Sequence, residues 1–362
     1  MHLFARWLQV TADFSGYIAI LLFLFFLLCF IISRVYKSSL STIWKQIIVS
    51  LCFTFFVFYG VFFSCEAYFR YIYDQSDALG FLKTNQHWLA KHVEYNNLRF
   101  RDNHDYAVAK KSGVTRIGVI GDSLTFGYGI KNVDDRFSNL LEKKLKAAGK
   151  KVEVYNLGIP GLDTCGEVDN FKKMKYLDFD IMIWQFYLND IQPCNGKSTG
   201  AKILQQPNKI QSPVIAWFAN KSYFINYLYW KLSAAHNSTF LALRHADLIQ
   251  YYNRLAVQQE KESISSLYTL MKNEGEEKRS VVVIIFPYLS LIGYNYPRRD
   301  VHGIIHSMLS EAGVGNVIDL LPDLINKQPK DVMVNPFDPH PNVPVNQLAA
   351  DKLYKSILPL VK

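Results

Sequence analysis

Two uncharged apolar stretches near the N-terminus constrain the fold of this chain most strongly. Residues 17–33 and 46–64 contain no charged side chain, and each is close to the roughly 20 residues that a membrane-spanning helix needs. A cleaved signal peptide explains the first stretch poorly, because no basic run precedes it and no small-residue cleavage site follows it. The second stretch would also remain unexplained. The sequence therefore predicts that residues 1–65 form an anchor with two transmembrane helices.

The short loop between these stretches carries only positive charge. Arg34, Lys37 and Lys45 lie in or beside it, and no acidic residue occurs from position 34 to position 45. Loops rich in Lys and Arg are retained on the cytoplasmic side of a membrane. We therefore expect this loop in the cytoplasm, and both termini, with the roughly 300 residues after the second stretch, on the opposite side.

Charge and composition exclude several classes of function. The net charge of +9 comes from 40 basic and 31 acidic residues, but no dense basic run or nucleic-acid-binding motif is visible, so we expect no nucleic acid partner. His302 and His306 have the spacing of metal ligands on a helix, but no Glu follows His302 and no third ligand is evident. We expect neither a metal ion nor a cofactor.

Short apolar runs alternate with amphipathic stretches over residues 113–362. The runs predict strands at residues 115–120, 152–157, 181–186, 280–286 and 316–320, and the stretches predict helices at residues 136–148, 171–176, 302–312 and 345–358. This alternation is typical of an α/β fold with a mostly parallel sheet. Such sheets bind ligands beyond the carboxyl ends of their strands, so we expect the chemistry in the loops there.

Two segments fall outside this alternation. Residues 66–112 are mixed polar and aromatic, and we interpret them as a juxtamembrane connector. Residues 195–262 form an insertion in which residues 213–232 are apolar nearly all round, but Lys221 and Lys231 argue against a third span. We interpret the insertion as a helical cap over the active face. Its aromatic residues would serve packing, an acyl-binding wall or contact with the bilayer surface.

Ser123 comes directly after the first predicted strand, in the sequence Gly121-Asp122-Ser123. A serine at a strand-to-helix turn is exposed, and its backbone N–H can face a developing oxyanion. A dinucleotide-binding loop does not fit, because the G-x-G-x-x-G pattern is absent and Asp122 would place negative charge where a pyrophosphate sits.

Further polar groups follow the other strands. Gly158 and Asn189 come after the second and third predicted strands, and offer a backbone N–H and a side-chain amide. These are the donors that an oxyanion hole needs. His340 stands two residues after Asp338 in a proline-flanked loop before the last helix. An imidazole there is a candidate base for a serine, and the carboxylate can hold its tautomer.

Four sequence blocks together resemble the SGNH/GDSL hydrolases, and residues 97–102, NLRFRD, also resemble the lead-in found in bacterial membrane-bound members of that family. The blocks read GDSLTFGYG from residue 121, NLGIPG from residue 156, YLND from residue 187 and DPHPN from residue 338. The resemblance covers about residues 95–358. It implies a three-layer α/β/α flavodoxin-like sandwich with a mostly parallel sheet.

The resemblance also implies a role for each matching residue. Ser123 would be the nucleophile, His340 its base and Asp338 the acid that orients the base. The N–H groups of Ser123 and Gly158 and the amide of Asn189 would form the oxyanion hole. Many members place the acid three residues before the histidine, whereas Phe occupies position 337 here.

These observations predict a membrane-anchored serine esterase that acts on O-acyl esters, chiefly O-acetyl esters, of a cell-envelope glycan or lipid. We expect a multi-pass protein of the bacterial inner membrane with its catalytic domain in the periplasm. One alternative is an O-acyltransferase that modifies an envelope polysaccharide with the same residues. Another is a non-catalytic envelope assembly or binding protein.

Two cysteines lie in loops on the predicted active face. Cys165 follows the second predicted strand and Cys194 follows the third. Adjacent parallel strands would bring these loops together, and an oxidising compartment permits a bridge. The sequence therefore predicts a disulfide between Cys165 and Cys194.

Overall fold

The computed structural model describes residues 2–78, 80–188, 190, 210, 212–236, 254–273 and 279–361. The chain divides into two compact units. The first, here called the helical unit, comprises Met1–Tyr73 and Gln211–Tyr229. The second, here called the sheet unit, comprises Asp74–Ile210 and Trp230–Lys362.

Helices and strands of the described residues are numbered in chain order. The helices are α1 (His2–Tyr36), α2 (Thr42–Tyr71), α3 (Asn85–His92), α4 (Ser123–Phe126), α5 (Phe137–Ala147), α6 (Thr164–Met174), α7 (Pro213–Lys221), α8 (Tyr223–His236), α9 (Arg254–Asn273), α10 (Arg299–Glu311), α11 (Leu321–Leu324), α12 (Pro329–Val332) and α13 (Val343–Ile357). The strands are β1 (Thr115–Ile120), β2 (Val152–Asn156), β3 (Ile181–Tyr187), β4 (Ser280–Phe286), β5 (Val317–Asp319), β6 (Met333–Asn335) and β7 (Asp338–Pro341).

In the helical unit, α1 and α2 pack against each other in antiparallel orientation. Ring contacts join Phe14 to Phe63 at 5.1 Å and Phe25 to Phe56 at 6.1 Å between centroids. Within these helices, Phe14–Tyr36 and Thr42–Tyr71 are long and apolar enough, by length and composition, to cross a membrane. α2 continues past the predicted end at residue 64, because the charged residues Glu66 and Arg70 pair with each other inside the unit.

Helix α7 and the first half of α8 also belong to the helical unit. The sequence predicted that these residues belong to a cap over the active face, and that role stays a prediction; the structure shows them packed with α1 and α2. The reason is a contact that the sequence does not show. Glu66 of α2 accepts hydrogen bonds from the Ser222 hydroxyl at 2.6 Å and from the backbone N–H of Phe224 at 3.0 Å.

The sheet unit is built on a five-stranded sheet in the order β2-β1-β3-β4-β5, in which every neighbouring pair is parallel. This is the strand order of flavodoxin-like folds. The predicted α/β class with a mostly parallel sheet is confirmed. The carboxyl ends of β1, β2 and β3 lie side by side, so the loops that follow them share one edge of the sheet.

Helices cover both faces of this sheet, and two separate apolar clusters fill the spaces between the layers. On one face, α6, α9 and α10 contribute buried residues such as Phe171, Leu267 and Ile305. On the other face, α5 and α13 contribute Leu141 and Leu353. Neighbouring strand residues point to opposite faces, which gives the three α/β/α layers.

Two parts of the sheet unit differ from the predicted organisation. β6 and β7 form a small antiparallel hairpin where the sequence predicted a loop before the last helix. Residues 74–112, interpreted as a connector, are part of the sheet unit. Their buried residues include Arg101 and Asp102, and Arg101 Nη1 donates to the carbonyl of Gly127 at 2.5 Å. Buried polar pairs hold this segment in the sheet unit, so its sequence lacks the apolar periodicity that would predict a folded part of the domain.

Candidate active site

Ser123 lies at the first turn of α4, directly beyond the carboxyl end of β1. A Cβ atom at Gly121 would come 2.4 Å from Oε1 of Gln185, so only glycine fits this turn. That oxygen accepts from the backbone N–H of Asp122 at 3.2 Å, and from the N–H and hydroxyl of Thr125 at 3.2 Å and 2.8 Å. Gln185 of β3 therefore fixes the turn that carries the serine, a role that the sequence reasoning missed.

Asp122 caps the helix that begins at Ser123. Its Oδ1 accepts from the Leu124 N–H at 2.9 Å, which satisfies one of the free donors of the first turn. Burial raises the pKa of Asp122 to about 6, although the hydrogen bond from Leu124 and the charge of His340 act in the opposite direction. The turn thus combines a serine with a buried acid whose charge reaches His340.

Asp338 and His340 lie on β7, and this explains how a two-residue spacing brings them together. Side chains two positions apart on a strand point to the same face. His340 Nδ1 lies 2.5 Å from Asp338 Oδ1, and His340 Nε2 lies 2.8 Å from the Oγ of Ser123. The structure therefore brings all three predicted residues into one chain of hydrogen bonds.

The two ionisable members of this chain shift each other's pKa. Burial by itself would raise the pKa of Asp338, but the charge of His340 and the hydrogen bonds from His340 and Ser76 lower it overall. Burial by itself would lower the pKa of His340, but the charge and hydrogen bond of Asp338 and the charge of Asp122 raise it above the ordinary 6.5. Near neutral pH, Asp338 is therefore ionised beside an imidazole that readily takes up a proton.

Ser76 is a second site residue that the sequence reasoning missed. Its hydroxyl donates to Asp338 Oδ2, and both side chains are buried. The carbonyl of Ser76 accepts from Asn335 Nδ2 of β6 at 3.0 Å, which ties the residue to the hairpin. A Cβ atom at Gly129 would come 2.6 Å from Asp338 Oδ2, so glycine keeps this contact open. No sequence block marks Ser76, because it enters the site only through the folded chain.

The predicted oxyanion donors differ in their surroundings. The Ser123 N–H has no hydrogen-bond partner among the described residues, and it lies at the N-terminal end of α4. The Gly158 N–H donates to Asn156 Oδ1 at 3.1 Å, so it would have to be shared with an oxyanion. A Cβ atom at Gly158 would come 2.3 Å from the backbone N of Phe126, which explains the glycine by packing alone. Asn189 lies outside the described residues.

The cysteines of the predicted pair are only partly described. Cys165 lies on α6 and is disulfide-bonded. Cys194 lies outside the described residues. The Cys165–Cys194 pairing therefore stays a prediction.

The two histidines with metal-ligand spacing share a carboxylate. His302 Nδ1 and His306 Nε2 lie 2.8 Å and 3.2 Å from the same oxygen of Asp319, at the end of β5. In the part of the chain that the structure describes, no group of three or more His, Cys, Asp or Glu side chains is arranged to hold a metal ion.

Comparisons with known proteins give similarities to solved structures. No family model and no curated protein matches the chain. The psychrotrophic esterase EstA from Pseudoalteromonas sp., solved with monoethylphosphonate as inhibitor, is 14% identical over 68% of this chain and 98% of its own, with a TM-score of 0.40. The lipase/acylhydrolase from Enterococcus faecalis is 15% identical over 68% and 97%, with a TM-score of 0.41. TesA is 14% identical over 68% and 100%, with a TM-score of 0.44.

The likeness to these solved structures is remote, at 14–15% identity and TM-scores of 0.40–0.44. At this level of identity it does not carry an activity from one protein to another. The function proposed below therefore rests on the geometry of Ser123, His340 and Asp338 in this chain.

Proposed function

We propose that this chain is a serine ester hydrolase of the SGNH/GDSL type. The observation that carries the proposal is the continuous chain of hydrogen bonds from Ser123 Oγ through His340 to Asp338. A serine hydroxyl attacks an ester only when a base takes its proton, and a carboxylate stabilises the protonated base. Ser123 also lies beyond the carboxyl end of a parallel strand, where such sheets bind ligands.

In the first half of the reaction, Ser123 Oγ attacks the ester carbonyl while His340 Nε2 accepts its proton. The hydrogen bond of Nδ1–H to Asp338 selects the tautomer whose Nε2 is free to accept. The carbonyl oxygen becomes negative and is held by the N–H of Ser123, with Gly158 and Asn189 as the further donors implied by the sequence blocks. Each such donor is worth about 10²–10³ in turnover.

In the second half, His340 returns its proton to the leaving alkoxide, and the acyl group stays on Ser123. Water then attacks this acyl-enzyme as His340 takes a proton from it. The bond between the acyl carbon and Ser123 Oγ breaks, His340 returns the proton to Oγ, and the free acid leaves. A sugar hydroxyl in place of water would give acyl transfer with the same residues. The acceptor therefore separates a hydrolase from a transferase.

We propose further that α1 and α2 anchor the protein in the bacterial inner membrane and that the sheet unit lies in the periplasm. Their length and apolar composition support anchorage, and the positive loop at Arg34, Lys37 and Lys45 supports this orientation. An enzyme held there would meet acylated glycans and lipids of the envelope, so O-acyl esters of those molecules are the proposed substrates.

The test of the serine mechanism uses the full-length protein in detergent and a chromogenic acetyl ester. Ser123→Ala is compared with the wild type and with Ser307→Ala, which removes an exposed hydroxyl on α10 as a matched control. We expect turnover and labelling by a fluorophosphonate to vanish in Ser123→Ala alone. Equal turnover in the wild type and Ser123→Ala would refute the proposal.

The acceptor is tested by product analysis. Hydrolysis without added glycan supports the hydrolase. Labelling of Ser123 without hydrolysis, followed by acylation of an added envelope glycan, would instead indicate an acyltransferase.

The orientation is tested with reporters joined after residue 110. A reporter that is active only in the periplasm should function there. Activity of only a cytoplasmic reporter at the same position would contradict the proposed orientation.

A further inference from the structure

Glu66 and Arg70 form a buried ion pair near the end of α2, and the pair reaches a distant part of the chain. Arg70 Nη2 lies 2.7 Å from Glu66 Oε1. The Glu66 carboxylate also accepts from the Ser222 hydroxyl at 2.6 Å and from the N–H groups of Tyr223 and Phe224 at 3.1 Å and 3.0 Å. These N–H groups belong to the first turn of α8, so Glu66 caps the N-terminal end of that helix.

Arg70 holds the end of the preceding helix. Its Nη2 donates to the carbonyl of Lys221, the last residue of α7, at 3.1 Å. Its guanidinium lies over the rings of Tyr223 and Tyr17, at 4.9 Å and 5.2 Å from their centroids. One ion pair thus caps the C-terminal end of α7 and the N-terminal end of α8. We call it the Glu66–Arg70 clamp.

The clamp fixes α7 at one end of the α1–α2 pair. Tyr17, near the start of the apolar part of α1, donates its hydroxyl to the Lys221 carbonyl at 3.2 Å. Glu66 and Arg70 lie near the end of α2. Because α1 and α2 are antiparallel, these positions fall at the same end of the pair, opposite the positive loop. α7 therefore lies where the proposed spans would leave the bilayer.

α7 exposes an apolar surface at this level. Val214 is 66% exposed and Trp217 is 59% exposed, and Phe218 is exposed beside them. Residues at i, i+3 and i+4 share one face of a helix, so the three side chains form one patch. Exposed apolar patches of this kind mark interaction sites. Trp is enriched at membrane–water interfaces, and the exposed Lys221 at the helix end can reach lipid headgroups.

We propose that α7 is a third membrane-contacting element, an interfacial helix whose Val214, Trp217 and Phe218 lie against phospholipid acyl chains. The proposal rests on the proposed membrane anchorage of α1 and α2. Phospholipid is the expected partner of the apolar patch on α7, because α7 belongs to the same compact unit as α1 and α2. Lipid that surrounds their exposed apolar side chains would also reach the patch on α7.

The test places nitroxide labels on the full-length protein in phosphatidylcholine–phosphatidylglycerol vesicles. Serine replaces the free cysteines Cys29, Cys52 and Cys65, and one label is attached through Val214→Cys. Reference labels are attached through Phe26→Cys on α1 and Tyr294→Cys in the sheet unit, whose native side chains are 66% and 82% exposed. Collision rates with oxygen, which enters lipid, and with a water-soluble nickel chelate are measured for each label.

We expect the oxygen-to-nickel ratio at position 214 to be several-fold higher than at position 294 and close to that at position 26. A ratio at 214 equal to that at 294, with a high ratio at 26, would overturn the interfacial helix and leave the anchorage intact. Low collision rates with both reagents, with dipolar broadening between labels at 214, would assign the patch to a second copy and also overturn it. A low ratio at 26 would overturn the anchorage itself.

Discussion

Ser76→Ala is the change that most directly tests whether Asp338 orients His340, the proposed catalytic base. In the folded chain, Asp338 Oδ1 receives the Nδ1–H of His340, and Oδ2 receives the Ser76 hydroxyl. Asp338 is fully buried, so no water can replace the lost donor without rearrangement. The alanine leaves one oxygen of an ionised carboxylate without a partner and lets the carboxylate turn away from the imidazole.

The size of the effect follows from the kind of hydrogen bond that is lost. A hydrogen bond to a charged group contributes about 1.5–3 kcal/mol. We expect this loss to raise the activation free energy, because His340 becomes charged in the transition state. Each increment of about 1.4 kcal/mol in activation free energy changes the rate about tenfold, so kcat should decrease by about 10- to 100-fold. KM should change little, because Ser76 contacts Asp338 and not the substrate side of Ser123.

The assay is steady-state hydrolysis of the chromogenic acetyl ester, together with the rate of fluorophosphonate labelling of Ser123. Both depend on activation of the same hydroxyl, and both should fall by a similar factor. Thr84→Val is the matched control. It removes a buried hydroxyl that has no hydrogen-bond partner in the described structure and does not touch the site.

A structural role alone would show a different pattern. Ser76→Ala that unfolds more easily but keeps its kcat and labelling rate at low temperature would refute the orienting role. So would an equal decrease in Thr84→Val. A rise in KM at unchanged kcat would place Ser76 in substrate binding, against the geometry that motivates the experiment.

Three further changes probe the same site. Asp338→Asn removes the charge and hydrogen bond that raise the pKa of His340. The acid limb of the pH profile of kcat/KM should therefore move to lower pH, while kcat falls by up to about 10⁴-fold. An acid limb at the same pH as in the wild type would contradict this coupling between Asp338 and His340. Gly158→Ala should reduce kcat strongly, because its Cβ would displace α4, whereas Gly303→Ala in open space on α10 should be neutral or slightly stabilising. Burial raises the pKa of Asp122 from 3.8 to about 6. The stabilisation that comes from protonated Asp122 is therefore present below pH 3.8 and lost as pH rises through 6. We expect the thermal midpoint of Asp122→Asn to exceed that of the wild type by more at high pH than at low pH.

The parallel sheet could be predicted because its signal is local. Strands buried on both faces are continuous apolar runs, and the run at residues 280–286 gives β4 with the same bounds in the structure. The start of α6 could not be found from apolar spacing, because Thr164, Cys165 and Gly166 do not form a pattern of apolar side chains at helical spacing. Its only local signal is Asp163, whose carboxylate caps the helix by accepting from the Gly166 N–H at 2.8 Å.

The candidate site likewise contains some residues that the sequence identifies and others that it does not. Ser123 and His340 stand in short sequence blocks, and the structure joins them. The hairpin that presents His340 was predicted as a loop, because three- and four-residue strands exist only through their pairing. Gln185 and Ser76 carry no motif at all. Each acts through a hydrogen bond to a residue more than fifty positions away, which a single sequence does not reveal.

Residues 74–112 precede the sheet, and Asp102 tests whether they belong to the sheet unit, because its carboxylate forms an ion pair in the interior of that unit. Asp102 Oδ2 lies 2.7 Å from Arg136 Nη2, and both side chains are almost completely buried. Asp102→Asn would leave a buried guanidinium without its counter-charge, which costs about 3–5 kcal/mol. The control is Asp178→Asn, which removes an exposed partner of Lys110 at 3.5 Å, a contact worth less than about 1 kcal/mol.

The pH dependence of stability distinguishes the contribution of the Asp102–Arg136 ion pair from that of apolar packing. Burial by itself would raise the pKa of Asp102, but the hydrogen bond from His104 and the charge of Arg136 lower it to about 2. A depressed pKa means that the stabilisation is present above pH 3.8 and is lost as pH falls towards 2. The difference in thermal midpoint between wild type and Asp102→Asn, followed by circular dichroism, should therefore shrink as the pH is lowered. A difference no larger than that of Asp178→Asn would mean that residues 74–112 are not held in the sheet unit by this pair, and that a connector remains the better description.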